Sequence, residues 1–218
     1  MTTLPRVRRT LLRDTAYEVI RDAIVRSDIP PGAVVSNAAV AEQLGLSRAP
    51  VRDALARLAD EGLVETKPQS YTRVTPLALK EVRDAAEVVR TMHELAVRAA
   101  VQLLTSAHIE AMREANRRFE AAISAADADA ALQSDDDLHG VLISVCGNRA
   151  VAATIERYTP LIRRLERRQF SSARARRSVR RHDELIAACV AGDVGQAIQV
   201  TGQIWRSLED LADDLSVH

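Results

Sequence analysis

A chain of 218 residues, 47% hydrophobic and 28% charged, has the balance of an ordinary folded protein and the length for one large domain or two small ones. Its 30 basic and 30 acidic side chains cancel, so total charge neither demands nor rules out nucleic acid, and what matters is where the charge lies. There is no run of about 18 apolar residues for a membrane span and no apolar stretch after Arg6, Arg8 and Arg9 for a signal peptide, while two distant cysteines, Cys146 and Cys189, argue against a disulfide scaffold; the expected location is cytoplasmic.

Aromatic residues make up only 3%, so any core is built from Leu, Val, Ile and Ala, a palette that favours helices. Residues 1–12 read as a basic arm. Ala16, Val19, Ile20, Ala23 and Ile24 then share one face of a helix, which Asp28-Ile29-Pro30-Pro31-Gly32 stops. Ser36 or Asn37 caps a second helix with Val40, Ala41 and Leu44 as its apolar stripe, and Gly45 ends it. Ser47 caps a third helix whose stripe is Val51, Ala54, Leu55 and Leu58, closed by Gly62. Leu63-Val64-Glu65-Thr66 and Tyr71-Thr72-Arg73-Val74 alternate as short strands around a Pro68-Gln69-Ser70 turn. The order is helix, helix, helix, hairpin.

From Leu77 onward every pattern is helical, with breaks near Ser106, Asp127, Gly147-Asn148, Ser171-Ser172 and Gly192-Asp193. The predicted fold is mainly α: a winged helix-turn-helix over residues 1–76 and an all-α bundle of about six helices over 77–218. Residues 1–76 carry 11 basic and 9 acidic side chains, a net of +2, which leaves −2 for the rest and mildly favours the front half for DNA.

Within the helix-turn-helix, Asn37 to Leu58, the third helix is the element a major groove would receive. Ser47, Arg48, Ala49, Pro50, Val51 and Arg52 form its leading end. Arg48 and Arg52 are four apart and share a face, and an arginine fork suits guanine O6 and N7 or a phosphate. The string Leu44-Gly45-Leu46-Ser47-Arg48-Ala49-Pro50-Val51-Arg52-Asp53-Ala54-Leu55, followed by Leu58 and Glu61-Gly62-Leu63-Val64, resembles the winged-helix domain of the GntR family of bacterial repressors, over residues 11–76. The resemblance implies DNA contacts from Ser47, Arg48 and Arg52, with Arg57 a further candidate. Family wings carry a basic residue and a glycine where this chain has Ser70 and Tyr71, so Gln69, Ser70 and Tyr71 are expected to reach phosphate or sugar instead.

Residues 77–218 resemble the helical effector-binding (FCD) domain of the FadR-type branch, on Arg90 and Glu94, Asp135 with His139, Gly147-Asn148, His182 with Ile186, and Gly192-Asp193 with Ala197. Many such domains hold zinc or nickel on one Asp and three His, and the metal holds a carboxylate effector. Asp135 and His139 are four apart and can chelate one ion, with Asp136 a possible substitute, and His182 comes from a later helix. The third histidine falls on Ile204, which cannot bind metal. Either three protein ligands keep an ion with an open position, or the metal is lost and Arg90 with the histidines binds an organic acid directly; His93 is a candidate to complete the site. Arg90 and Asn148 are the expected effector contacts.

The Arg-rich stretch holding Arg163, Arg164, Arg167, Arg168, Arg174, Arg176, Arg177, Arg180 and Arg181 reads as a solvated face. Cys146 and Cys189 follow His139 and His182 by seven residues, about 10 Å along a helix axis, and read as buried small hydrophobes. The function this organisation implies is a ligand-responsive transcription regulator, by resemblance a repressor, binding a near-palindromic operator as a homodimer. Two other readings are a metal sensor and, less well supported, a metal hydrolase on Asp135, His139 and His182. The sequence offers the hydrolase no nucleophile or base motif.

Overall fold

The computed structural model describes residues 10–67, 70–170 and 175–216. The basic arm at Arg6, Arg8 and Arg9, the wing-tip residue Gln69, Arg174 and the break at Ser171-Ser172 lie outside the described residues. The chain divides into two compact units after Leu77.

The first unit runs α1 (Thr10–Val25), α2 (Asn37–Leu44), α3 (Arg48–Asp60), β1 (Val64–Lys67) and β2 (Tyr71–Val74). Ser36 supplies the cap of α2, its hydroxyl accepting from the Ala39 N–H, and Gly45 ends that helix in the left-handed conformation at φ +63°. This turn sets α3 across α2. Ala16, Tyr17, Ile20 and Ile24 of α1 meet Val51, Ala54, Leu55 and Leu58 of α3 in an apolar core closed by Leu63, Val64 and Val74. The strands pair antiparallel, Val64 opposite Val74 and Lys67 opposite Tyr71. A further pairing was not legible in sequence. After the Pro30-Pro31-Gly32 turn, Val34 bridges Arg73, with the Val35 N–H donating to the Thr72 carbonyl at 2.8 Å. The segment from Gly32 to Val35, just past the two prolines, is thereby stitched to the hairpin.

The second unit is α4 (Leu79–Ala100), a 3-10 turn (Val101–Leu103), α5 (Ser106–Ser124), α6 (Ala128–Cys146), α7 (Arg149–Phe170), α8 (Ala175–Ala191) and α9 (Val194–Ser216). Helix ends follow local chemistry. Thr105 and His108 form a reciprocal capping box on α5, Asp127 caps α6, and Gly147 ends α6 at φ +65°. α4 packs against α6, α7 and α9, and α8 against α5 and α9. Val97, Met112, Leu138, Leu142, Leu185 and Val200 make the main core. No helix among the described residues is long and apolar enough to cross a membrane.

Candidate nucleic-acid interface and metal centre

In the first unit, α3 turns Ser47, Arg48, Ala49 and Arg52 outward while Val51, Ala54, Leu55 and Leu58 are buried. Core contacts at 51, 54, 55 and 58 define one face, Arg52 lies about 110° round the helix from its centre, and Arg48 is exposed because it opens the first turn at the helix end. Ser47 occupies the N-cap position without a side-chain capping bond. The Arg52 side chain is 70% exposed, with only a loose 3.5 Å approach to Asp53. Arg57 behaves differently. Its guanidinium sits 3.7 Å from the Tyr17 ring centroid and donates to Glu61 at 3.0 Å, while the Tyr17 hydroxyl donates to Glu61 at 2.8 Å. Burial, then the bond to Glu61, pushes the Tyr17 hydroxyl up to about 12. Arg57 thus ties α3 to α1. On the wing, Ser70 is exposed, and Tyr71 is held under Arg73, which donates to its hydroxyl at 2.9 Å and to Glu65 at 2.6 Å.

In the second unit, three of the residues singled out by resemblance come together. Asp135 and His139 of α6 and His182 of α8 are buried, each offering a ligand atom within 4.8 Å of the others. His182 Nε2 lies 3.2 Å and His139 Nε2 3.9 Å from Asp135 Oδ1. Ligands about 2.0–2.1 Å from one tetrahedral ion stand about 3.3 Å apart, so these separations suit an ion. Both Nε2 atoms are buried and, among the described residues, neither makes a well-aligned hydrogen bond, His182 Nε2 approaching Asp135 in distance alone. Buried, unsatisfied nitrogens beside a carboxylate are what a divalent cation would satisfy. Burial disfavours charge on His139, whose pKa falls to about 4. For Asp135, burial raises the pKa, while Arg163 and whichever neighbouring histidine carries charge lower it, and the balance falls below the ordinary carboxylate value. An anionic carboxylate beside a neutral imidazole is the protonation state a metal requires.

Ile204 does line the cavity beside this cluster, with Asp135, His139, Glu166, Phe170, Ser178, Trp205 and Leu208, and so presents an apolar wall where a third histidine was expected. His93 stands beside the cluster and not in it. It stacks on Trp205 with centroids 4.6 Å apart, meets His139 edge-on at 5.3 Å, and burial drives its pKa well below the ordinary value. Asp136 is turned away to Arg163 and does not replace Asp135.

The two expected effector contacts are placed elsewhere. Arg90 pairs with Glu94 at 3.3 Å, and Glu94 packs where a side chain on Gly202 would stand. Asn148 caps α7, its Oδ1 accepting from the Ala150 and Val151 N–H groups. Neither lines the cavity. The reading of a solvated arginine face fails at Arg163 and Arg164, because α7 turns this part of its surface inward. The Arg163 side chain is 12% exposed and bonds Glu166 at 3.0 Å. Burial raises the Glu166 carboxyl to about 8 against the pull of Arg163. Arg167 reaches Asp129, and Arg181 reaches Glu184. Glu166 and Trp205 were missed because nothing in their local sequence separates a cavity wall from a helix surface. Cys189 is buried, its thiol pushed up to about 11, and Cys146 is half-buried, both among apolar neighbours.

Comparison with known proteins agrees with this division. Residues 12–74 match the family of bacterial regulatory proteins called gntR, and residues 84–207 match the FCD domain. The chain is 25% identical over 154 residues to the HTH-type transcriptional repressor RspR of Escherichia coli, covering 71% of this chain and 68% of that one. It is 30% identical over 132 residues to an HTH-type transcriptional regulator of the TAR-I ttuE-ttuC' intergenic region of Agrobacterium vitis, covering 59% and 77%. Among solved structures, Escherichia coli McbR/YncC has the same fold at TM-score 0.82 with 18% identity, over 94% of this chain and 98% of that one.

Proposed function

Because the chain belongs to the gntR family of bacterial regulatory proteins and carries an FCD domain behind its DNA-binding unit, we propose that this transcription regulator is a homodimeric repressor switched by a small organic acid at a divalent metal, zinc or nickel, inside the helical unit. The observation that carries the reading is the convergence of His139 Nε2 and His182 Nε2, buried and unsatisfied, on Asp135. Asp135, His139 and His182 would hold the ion, and three protein ligands leave a position open to an acid. When bound, the metal supplies a Lewis-acidic point for a carboxylate.

The protein's own residues do the rest. Ser47, Arg48 and Arg52 stand outward on α3, ready for phosphate and base edges, with Ser70 and Tyr71 of the wing flanking them. Arg57 is left out of the DNA set because Tyr17 and Glu61 hold it. Two copies present two recognition helices to a near-palindromic operator. Beside the metal ligands, Ile204, Phe170 and Leu208 give the cavity an apolar wall, and Trp205 adds a buried indole N–H with no acceptor among the described residues. Such a wall excludes water, and the indole is a donor suited to an acid's oxygen. The acid acts by favouring one of two forms with different operator affinity.

The test starts with duplex selected from a random pool by the zinc-loaded protein. Small carboxylates are then screened by thermal shift, and hits are assayed for operator binding by fluorescence anisotropy. The reading expects at least one acid to stabilise the metal-loaded protein and change operator affinity, with both effects lost after chelation. Operator binding that responds to chelator but to no acid would make the ion itself the signal. Acid responses that survive chelation would remove the metal from the switch.

A further inference from the structure

Asn116, in the middle of α5, is 5% exposed and sits on the far side of His182 from Asp135. Its amide has two ends, and the surroundings decide which faces where. Nδ2 lies 2.7 Å from Asp183 Oδ1 and 3.3 Å from the Val179 carbonyl, both pure acceptors. Reversing the amide would set its oxygen against two other oxygens. The orientation is therefore fixed by chemistry, with Nδ2 donating twice and Oδ1 facing the imidazole. His182 Nδ1 lies 3.0 Å from that Oδ1 and must be the donor in the pair.

A neutral imidazole with its proton on Nδ1 carries a bare lone pair on Nε2. That atom is the one 3.2 Å from Asp135 Oδ1, without hydrogen-bond geometry to it. Had the proton been on Nε2, the ring would have turned a donor toward the carboxylate and closed the site to a cation.

We infer that Asn116 is a positioning residue for the metal centre: it holds His182 in the tautomer and ring orientation that present the Nε2 lone pair to an ion shared with Asp135 and His139. This rests on the metal reading given above. Metal-bound histidines generally donate their second N–H to a fixed acceptor, and removing such an acceptor weakens metal binding by about 10–100-fold. Here the acceptor comes from a different helix, and Asp183, next to His182 in sequence, holds the acceptor in place.

The test compares wild type, Asn116→Leu and the double variant Asn116→Asp/Asp183→Asn. The double variant exchanges donor and acceptor between positions 116 and 183, keeps an oxygen facing His182, and gives up only the longer 3.3 Å bond to the Val179 carbonyl. The first readout is the tautomer of His182 by histidine-labelled 15N NMR on chelator-stripped protein. The second is Zn2+ affinity by chelator competition. Wild type and the double variant are expected to carry the proton on Nδ1. Asn116→Leu is expected to lose that preference and to bind Zn2+ about 10–100-fold more weakly, with the double variant back within a few-fold of wild type. A change in packing alone would weaken binding without moving the tautomer and without rescue by the exchange. Should Asn116→Leu not fold, Asn116→Ala is read in the same way. An unchanged His182 tautomer, or unchanged Zn2+ affinity, in the variant without an acceptor overturns the role of Asn116. A wild-type chain that takes up no Zn2+ overturns the metal reading, and the tautomer measurement then still decides whether Asn116 sets the ring.

Discussion

The two units bury different chemistry. Among the described residues, every polar or charged residue that is buried as a whole lies in the helical unit, from His93 and Asn116 through Asp135, His139 and Glu166 to His182 and Thr201. The winged unit has an interior of Ala, Val, Ile and Leu, with the Tyr17 hydroxyl and the Glu61 carboxylate paired at its margin. Burying polar groups is costly unless each finds a partner, so a fold keeps them where they have a task. The contrast separates two ways of working. One unit matches a DNA-binding family, carries Arg48 and Arg52 on its outside, and needs its inside only for rigidity. The other places its chemistry within the bundle, where desolvation sets protonation states.

The stability cost of a perturbation should therefore fall on the unit that holds it. The largest effect is expected from Leu58→Ala, which empties a fully buried site in the winged core. It should cost about 2–5 kcal/mol and abolish operator binding while leaving Zn2+ affinity unchanged, as read by calorimetry and metal competition. Metal removal comes next and should be the mirror image. Zn2+ at 100 times its Kd should stabilise the helical unit by about 2.7 kcal/mol, an increment lost in His139→Gln and absent from the unfolding of the winged unit. Arg48→Ala and Arg52→Ala should each weaken operator binding by about 1–3 kcal/mol with no change in thermal stability. Tyr17→Phe is the mildest, about 1 kcal/mol of winged-unit stability. Its sign with pH is set by the raised Tyr17 pKa. The hydroxyl's contribution is complete below pH 10 and lost as pH rises toward 12, so the variant should lack that part of the alkaline decline seen in wild type.

The sequence was informative wherever the determinant is local. The cap at Ser36, the Gly45 turn, the outward pair Arg48 and Arg52, and the four-residue step from Asp135 to His139 are all set within one turn of chain. What it could not display depends on which side of a helix meets another helix. Arg163 and Glu166 look like surface charges in a line of letters, yet α7 buries them as a pair. Arg57 was tied to DNA by resemblance but lies within reach of Tyr17, forty residues earlier. Arg90 and Asn148 were tied to the effector by resemblance, and the geometry gives one to Glu94 and the other to a helix cap. Asn116 has no signal at all, since its role comes from α8 crossing α5 at Val179, His182 and Asp183. Ile204 is an intermediate case: its position at the cavity was legible, while the stacked pair His93 and Trp205 beside it was not.

The central claim, that the interior of the helical unit is built to hold a cation, is tested most directly by isothermal titration of Zn2+ into chelator-stripped full-length protein. The account predicts one ion per chain, with binding lost in His139→Gln and His182→Gln and retained in Arg90→Ala. No heat of binding in wild type, or equal binding in wild type and the two histidine variants, would contradict it.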